Sequence, residues 1–215
     1  QVILALPEYW TLPILNHWVQ LKGHIAFGKF TDENWQHDFT QRKSKYSEGV
    51  LYHSKAGYLR IGNEAAFCPL SIELGLEMAA QFGGKPYTYD GNGGLKCKAT
   101  EGGLKGMWHA FIPGGQDDGE GQYANIAGNQ LGSWLMRINY NADTWKLGVY
   151  ADHFFEDDSQ MFMLDYNGYG EGKEWQSKKS HRFFMYSLKD MMLGAELNIK
   201  YGRWIRNIVL EYVHT

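Results

Sequence analysis

The clearest pattern in the chain is the alternation of apolar and other residues in LSIELGLEMAAQF, residues 70–82. Every second residue from Leu70 to Phe82 is apolar, whereas Glu73 and Glu77 lie in the intervening positions. A helix would divide the large apolar side chains between two faces and place a glycine in its interior, at a cost of about 1 kcal/mol. A strand places all of them on one side. The pattern therefore predicts one strand, much longer than the roughly 5–6 residues of an ordinary one.

Six further segments alternate in a similar way and are also predicted to be strands. They cover residues 19–27, 49–62, 130–140, 145–154, 191–200 and 204–214. The segment 49–62 alternates least cleanly, because Tyr52 and Tyr58 occupy the face opposite Leu59 and Ile61. A bulge, or a strand end that leaves the environment of its neighbours, would account for this break.

The lengths of the connections between these segments alternate as well. Long connections are predicted at about 31–48, 83–127 and 157–190, and short ones at 63–68, 141–143 and 201–203. In an antiparallel meander, every second connection lies at the same edge of the sheet, so the long connections share one end. Short turns at one end and long loops at the other are typical of bacterial outer-membrane barrels. Within the second long connection, residues 101–111 are predicted to form a short helix on the rim.

Strand length and aromatic placement favour a membrane over water. A tilted strand that crosses a bilayer needs about 9–11 residues. Tyr140, Trp145, Tyr201 and Trp204 all lie beside short turns, as the aromatic girdle of an outer-membrane barrel requires. A soluble β-sandwich or ligand-binding barrel explains the alternation equally well, but it explains the strand and loop lengths poorly. We therefore predict an all-β fold, an antiparallel transmembrane β-barrel meander in the bacterial outer membrane.

The inner face of the predicted barrel carries many large polar groups. They are Lys22, His24, Glu73, Glu77, Arg137, Lys146, Tyr150, Asp152 and Glu196. A wide, wet lumen suits these groups, while the row from Leu70 to Phe82 is predicted to face lipid. Seven strands, or eight if residues 2–6 also pair, reach only the smallest barrels, and the chain ends inside an alternating run. We interpret residues 1–215 as a single partial domain of a larger barrel.

Composition and charge exclude several other classes of protein. The chain of 215 residues has 26 glycines, 15% aromatic residues and a mean hydropathy of −0.45. It has no apolar run of the roughly 18 residues that a transmembrane helix needs. Its formal net charge of −3 gives no case for a nucleic-acid partner.

Three stretches resemble the Wzi-like capsule assembly family of Bacteroidetes outer membranes. They are AGNQLGSW (127–134), HFFEDDSQMF (153–162) and NIVLEYVHT (207–215). The resemblance implies an outer-membrane barrel of many strands, with a helical element on the periplasmic side, that attaches or organises capsular polysaccharide at the cell surface. It implies outer-membrane lipid and surface polysaccharide as partners and allows other capsule-export components. The chain departs from the family pattern by ending early, and the resemblance fixes no ligand-binding residue.

Neither a metal site nor a cofactor site is predicted. The eight histidines are scattered, and no pair has metal-ligand spacing such as HExxH. Acidic clusters occur at 89–94, 116–121 and 156–159, but none fits the twelve-residue calcium loop. We interpret these clusters as solvated loops, with a calcium ion at one of them as the alternative.

Catalysis and a disulfide are also not predicted. No GxSxG motif occurs. Ser133 and His153 are both predicted to point inward from neighbouring strands, but they lie eight and ten residues from their shared turn. Cys68 and Cys97 are predicted at opposite ends of the barrel, far beyond the roughly 7 Å between Cα atoms that a disulfide allows.

The long connections hold the candidate sites of binding. Aromatic rings stack on sugar rings, and basic side chains bind the carboxylates of acidic sugars. The candidate glycan-facing residues are Trp35, Arg42, Tyr89, Trp108, Trp175 and Arg182. For each residue taken alone, packing against other loops is the competing explanation. The predicted function is non-enzymatic: the barrel binds or organises capsular or surface polysaccharide, with a porin-like channel for small solutes as the alternative.

Overall fold

Long β-strands dominate the described part of the computed structural model, which covers residues 1–31, 33–41, 44–63, 67–89, 94–97, 100–112, 130–155 and 190–214. The strands are β1 (Val2–Thr11), β2 (Val19–Lys29), β3 (Tyr46–Glu48), β4 (Leu51–Ile61), β5 (Leu70–Phe82), β6 (Lys85–Tyr89), β7 (Leu95–Cys97), β8 (Leu131–Asn141), β9 (Trp145–Phe155), β10 (Met191–Ile199) and β11 (Asn207–His214). The helices are α1 (Trp35–Thr40), α2 (Gly103–Phe111) and a short 3-10 turn at Leu15–His17. Among the described residues, no helix combines the length and the apolar character needed to cross a membrane.

The main sheet has eight strands whose spatial order follows the chain. The order is β1-β2-β4-β5-β8-β9-β10-β11, and β3, β6 and β7 form a separate three-stranded sheet. The pairs β8–β9, β9–β10 and β10–β11 are antiparallel, as are β3–β6 and β6–β7. The all-β, mainly antiparallel part of the predicted fold is confirmed, whereas its closure into a barrel and its place in a membrane stay predictions.

The predicted strands form with small shifts of their ends. β5 spans Leu70–Phe82 as predicted, and residues 2–6 belong to the longer strand β1. The last strand begins at Asn207 rather than at residue 204, so Trp204 lies in the connection before it. The cause is local, because the Arg206 carbonyl accepts a hydrogen bond from Ile199 N at 2.8 Å and closes a wider turn over residues 200–206.

The alternation of connection lengths is confirmed by the strand ends. Short connections cover residues 12–18, 62–69, 142–144 and 200–206, and long ones cover 30–50, 83–130 and 156–190. The first long connection contains α1 and β3, and the second contains β6, β7 and α2. The helix predicted at 101–111 is confirmed as α2. Nearly all of the third long connection lies outside the described residues.

The chain divides into two compact units, which we describe separately. The first unit comprises Gln1–Ala5, His24–Lys55 and Met78–Leu131, and the second comprises Leu6–Gly23, Ala56–Glu77 and Gly132–Thr215. The predicted organisation as a single partial barrel domain stays a prediction.

The core of the first unit forms where α2 packs on strand residues. Ala80 and Phe82 of β5 are buried together with Ala110 of α2, and Phe27, Leu51 and Met107 pack against this cluster. The prediction that all of β5's apolar row faces lipid is therefore wrong at its C-terminal end. Leu70 and Leu74 are exposed, but Met78, Ala80 and Phe82 are buried, the last two in this cluster. Alternation reveals which side a residue faces and gives no information about a distant helix that covers it.

Candidate functional site on the polar face of the sheet

The strand register of the second unit builds a polar face row by row. Arg137 lies opposite Tyr150, Tyr150 lies opposite Gly194, and Gly194 lies opposite Glu211. Because directly opposed residues of antiparallel strands point to the same face, these four residues form one row across β8 to β11. The next row consists of Asn139, Gly148, Glu196 and Val209.

A glycine in the first row lets a tyrosine reach across a whole strand. A Cβ atom on Gly194 would collide with the Tyr150 ring, so the ring occupies the space where a side chain would stand. The Tyr150 hydroxyl crosses this gap and donates a hydrogen bond to Glu211 Oε1 at 2.6 Å. Close approach of a side chain to backbone is a common reason for glycine inside a strand.

The second row repeats this arrangement with an arginine. A Cβ atom on Gly148 would collide with the Arg137 guanidinium group. Arg137 crosses the gap and binds Glu196, with Nη2 and Oε2 2.5 Å apart, while its Nε donates to Asn139 Oδ1 at 2.8 Å. Both charged side chains are about 30% exposed, so the pair is partly shielded from water.

Glu73 of β5 is the centre of the densest part of the network. Its Oε1 accepts hydrogen bonds from Arg60 Nε and from Asn139 Nδ2, each at 3.1 Å, and its Oε2 accepts one from the Tyr9 hydroxyl at 3.1 Å. Arg60 Nη2 lies 3.0 Å from the same carboxylate. Arg60 also donates to Gln20 Oε1 at 3.5 Å. Side chains from β1, β4 and β8 thus meet at a single carboxylate of β5, and Gln20 of β2 joins the network through Arg60.

Tyrosine rings on this face carry cations on one side and carboxylates at their hydroxyls. The Arg60 guanidinium carbon lies 3.8 Å from the centre of the Tyr9 ring. Lys22 Nζ lies 4.3 Å from the centre of the Tyr58 ring and 5.1 Å from that of Tyr9. Tyr58 donates a hydrogen bond to Glu77. The network therefore satisfies its charges internally, through ion pairs, hydrogen bonds and cation–π contacts.

The sequence indicated only part of this network. Alternation placed Glu73, Arg137 and Glu196 on the polar face, and the structure agrees. Tyr9 was missed because β1 was predicted to end at residue 6, and Arg60 was missed because segment 49–62 alternates poorly. Arg60 lies two residues after Tyr58 in the same strand, and this spacing could have indicated that both side chains point to the polar face.

A small pocket opens beside this network. Its volume is about 50 Å³, which is room for one or two water molecules or a small ion. Its lining residues are Gln20, Arg60, Gly62, Asn63, Cys68, Pro69, Leu70, Ser71, Glu73, Asn139, Asn141 and Lys146. The pocket is too small for a sugar, whose binding sites are on the order of several hundred Å³.

The predicted inward placement of His153 is wrong. His153 lies opposite Trp134, whereas Ser133 lies opposite Phe154, so the histidine and the serine are on different faces of the sheet. His153 lies four residues after Val149 in β9, so the two side chains point to the same, apolar face. Ser133 is nine-tenths buried and donates to the Asp152 carboxylate and, at 3.3 Å, to the backbone carbonyl of His153. In the described geometry the side chains of Ser133 and His153 therefore do not pair.

The opposite face of the second unit is apolar and open. Pairings such as Ile138 with Val149 and Leu193 with Tyr212 show that these side chains share a face. The exposed large apolar residues of this face include Leu70, Leu74, Met136, Ile138, Tyr140, Val149, Leu193, Ile208, Leu210 and Tyr212. Leu74 is 43% exposed, Met136 44% and Leu210 75%. Contiguous exposed apolar surface on this scale marks an interface with a partner or a membrane.

The predicted girdle residues lie at the short connections of this unit. The Tyr140 and Trp145 rings stack with their centres 5.4 Å apart. Tyr201 and Trp204 are 80% and 89% exposed.

The structure describes three of the six candidate glycan-facing residues. Trp35 in α1 is 62% exposed and stacks on Phe39, with 5.1 Å between ring centres. Tyr89 ends β6 and is 40% exposed, and Trp108 of α2 is 60% exposed. Among the described residues, no ring contact joins Trp35, Tyr89 and Trp108 to one another. The other candidates, Arg42, Trp175 and Arg182, lie outside the described residues.

The three-stranded sheet carries a row of aromatic residues near Tyr89. Tyr46 and Tyr87 are register partners, and their rings stack with centres 4.8 Å apart and planes 15° apart. His37 of α1 meets the Tyr46 ring edge-on at 5.8 Å, and Tyr46 is buried. Tyr89 follows Tyr87 by two residues and therefore lies on the same face. The sequence did not predict this sheet, whose strands are three to five residues long.

The cysteines and the metal-binding side chains offer no further site within the described residues. Cys68 and Cys97 are both free. In the described ranges, no three histidine, cysteine or acidic side chains lie close enough together to hold a metal ion. Of the acidic clusters, residues 116–121 and 156–159 lie outside those ranges, as do 90–93 of the first.

Comparisons were made with models of protein families, with curated proteins and with solved structures. None of the three finds a match to this chain.

Proposed function

We propose that the chain forms part of the wall of a bacterial outer-membrane β-barrel, and that its long connections engage polysaccharide at the cell surface. The observation that carries this proposal is the division of the second unit into two faces. One face is exposed and apolar, and the other is a network of paired charges. In an outer-membrane barrel, an apolar face contacts lipid and a polar face contacts the water of the lumen.

The strand lengths and connections support the same proposal. β2, β4, β8 and β9 each have 11 residues, which is the length of a tilted membrane-crossing strand. A soluble sandwich would cover the apolar face with a second sheet about 10 Å away. Ten large apolar side chains of that face, from Leu70 to Tyr212, instead stay 37–75% exposed. The long connections then lie outside the cell, and the short ones face the periplasm.

The polysaccharide part rests on exposed aromatic rings in the long connections. Trp35 and its stacked partner Phe39 are 62% and 73% exposed, and Tyr89 lies at the end of an aromatic row. Such rings bind sugars by stacking on their C–H faces. Surface polysaccharide, outer-membrane lipid and other capsule-export components are the proposed partners, with the last named by the sequence resemblance alone.

Binding of purified capsular polysaccharide to the protein in lipid nanodiscs tests this role. We expect Trp35→Ala and Tyr89→Ala each to weaken binding several-fold, since an aromatic contact contributes on the order of 0.5–1.5 kcal/mol. Trp204→Ala, which removes an exposed ring from a short connection, is the matched control and leaves binding unchanged. Equal affinity in all four proteins would overturn the polysaccharide role.

A channel for small solutes is the second candidate, and the charged polar face favours it. Arg60, Glu73, Arg137 and Glu196 are side chains that suit an aqueous pore. Their pairing argues against strong ion selectivity, because each positive group is neutralised by a neighbour. Conductance of the protein in planar bilayers separates the candidates: a large, steady conductance favours the channel, and a closed barrel with capsule loss on deletion favours the polysaccharide role.

An enzyme is the remaining class, and our proposal is non-enzymatic. An enzymatic function would be supported instead if the protein acted on lipids or glycans and Ser133→Ala abolished that activity.

A further inference from the structure

Helix α2 presents an apolar stripe to its surroundings. Leu104, Trp108 and Ile112 follow one another at intervals of four residues and are 85%, 60% and 41% exposed. The opposite side of the helix is packed, with Gly106 and Ala110 buried. A spacing of four places Leu104 and Trp108 along one line of the helix surface, and Ile112 follows as the residue that caps the helix end. Packing within the described first unit therefore leaves this stripe uncovered.

The packed side of α2 rests on one particular face of the strands. It contacts a cluster that includes Phe82 of β5, Phe27 of β2 and Leu51 of β4. Each of these three residues lies an even number of positions from apolar residues of its own strand, such as Leu74 in β5 and Ile25 in β2. Strand alternation therefore puts α2 on the apolar side of β2, β4 and β5 rather than on the polar side.

Two strand-side groups hold the C-terminal end of α2 in this position. Lys55 donates a hydrogen bond from Nζ to the carbonyl oxygen of Phe111, and Gln130 donates from Nε2 to that of Ala110 at 2.8 Å. The last carbonyls of a helix have no partner inside the helix, and a cation there also complements the helix dipole. The helix is thus fixed with its stripe directed away from the strands.

We propose that α2 is an interfacial helix that places the side chains of Leu104, Trp108 and Ile112 at the headgroup–acyl boundary of outer-membrane lipid. The inference rests on the proposed function, in which the apolar side of the strands faces lipid. A helix bound to that side meets lipid, whereas one on the polar side would meet the lumen. Tryptophan favours the membrane interface, and leucine and isoleucine beside it supply the apolar face that an interfacial helix buries. Trp108 then anchors the protein in lipid and is not a sugar contact.

Spin labels on the protein in lipid vesicles test this placement. Single cysteines are introduced at Leu104, Leu74 and Phe39 in a Cys68→Ser, Cys97→Ser background. Collisions with oxygen, which concentrates in lipid, are compared with collisions with a water-soluble nickel chelate. We expect the oxygen-to-nickel ratio at Leu104→Cys to exceed that at Phe39→Cys several-fold and to correspond to a shallower depth than at Leu74→Cys. Since Leu104 is 85% exposed, its substitution removes no core contact.

The three labels separate failure of this inference from failure of the proposed function. If the label at 74 reports lipid and the label at 104 reports water, α2 is not interfacial although the barrel proposal stands. If the label at 74 reports water, the barrel proposal fails and the inference fails with it. Fluorescence provides a second measurement: brominated lipid quenches a component that Trp108→Phe removes, and equal quenching of both proteins would also overturn the placement.

Discussion

Glycine residues in the strands determine which side chains can meet across the sheet. Gly194 leaves a gap that the Tyr150 ring fills on its way to Glu211, so the hydrogen bond joins strands that are not neighbours. Gly148 does the same for Arg137 and Glu196. At the residue scale, the contacts of the polar face therefore depend on these two glycines as well as on the charged side chains.

Substituting Gly194 tests this role. In Gly194→Ala the new Cβ displaces the Tyr150 ring and breaks its hydrogen bond to Glu211, so we expect a loss of about 1–3 kcal/mol in the free energy of unfolding. Urea unfolding of the protein in lipid vesicles measures it. Gly57→Ala is the matched control, because nothing lies within 4 Å of a Cβ there and the change should be near zero or slightly stabilising. Equal effects at both positions would contradict the account.

The Glu73 carboxylate should couple energetically to Arg60. Glu73→Gln leaves the Arg60 guanidinium group without its ion-pair partner, and Arg60→Met leaves the carboxylate without its cation. We expect each single variant to lose about 1–3 kcal/mol in the free energy of unfolding, and the double variant to lose less than the sum. Glu8→Gln, which changes an exposed carboxylate of β1, is the control. Additive losses would show that the two groups do not act together.

At the scale of secondary-structure elements, α2 depends on an acidic residue just before it. Glu101 binds Lys105 Nζ at 2.6 Å and His109 Nδ1 at 2.7 Å. The hydrogen bond from Lys105, followed by that from His109, lowers the pKa of the Glu101 carboxyl below its ordinary value. A lowered pKa means that the folded state favours the charged carboxylate. The stabilisation is present above the unfolded pKa of about 4.3 and is lost as the pH falls through the lowered value.

We therefore expect the first turns of α2 to loosen in acid. The protection factors of the α2 backbone amides, which correct hydrogen exchange for its intrinsic pH dependence, should fall below about pH 4 in the native protein. In Glu101→Gln the protection factors should be lower already at neutral pH and should not show this fall in acid. A native pH profile that matches that of the variant would show that Glu101 does not stabilise the helix.

The elements themselves differ in how far the sequence could predict them. The bounds of β5 could be predicted because alternation is a local signal carried by all thirteen of its residues. The same alternation places His153 on the face of Val149 and Ala151, opposite the polar face. The short strands β3, β6 and β7 could not be predicted, since three to five residues carry too little periodicity and their pairing joins distant segments. The covering of Phe82 by α2 is likewise a long-range contact.

The sequence predicted that the candidate site is a polar face of the sheet, but it did not predict the contacts within that face. Alternation selects the side chains of a polar face, but it does not show that Tyr9, Arg60 and Asn139 all meet at Glu73. That meeting depends on the registers of four strands together. The sequence placed the candidate glycan-facing residues in the long connections. It could not predict that α1 packs so that His37 contacts the buried Tyr46 while Trp35 stays exposed.

At the scale of the whole molecule, the outermost strands of the sheet carry a structural requirement. β1 and β11 end the strand order, and every residue of β11 is exposed. An edge strand has unpaired N–H and C=O groups along one side. In a bilayer each such group costs several kcal/mol unless it is paired. Under the proposed function each of these edges must therefore be paired, as the strands of a closed barrel are.

The same scale offers the most direct test of the membrane proposal, because two adjacent residues of β8 point to opposite faces. Met136 shares the open apolar face with Ala151, and Leu135 shares the polar face with Asp152. If lipid covers the apolar face, Met136→Arg should cost up to about 2–4 kcal/mol near the bilayer midplane. Leu135→Arg should cost much less, since it places the same charge beside a carboxylate. Folding into lipid vesicles, followed by the shift in gel mobility on heating, measures both. If both variants fold equally well, the apolar face does not contact lipid, and a partner protein must cover it instead.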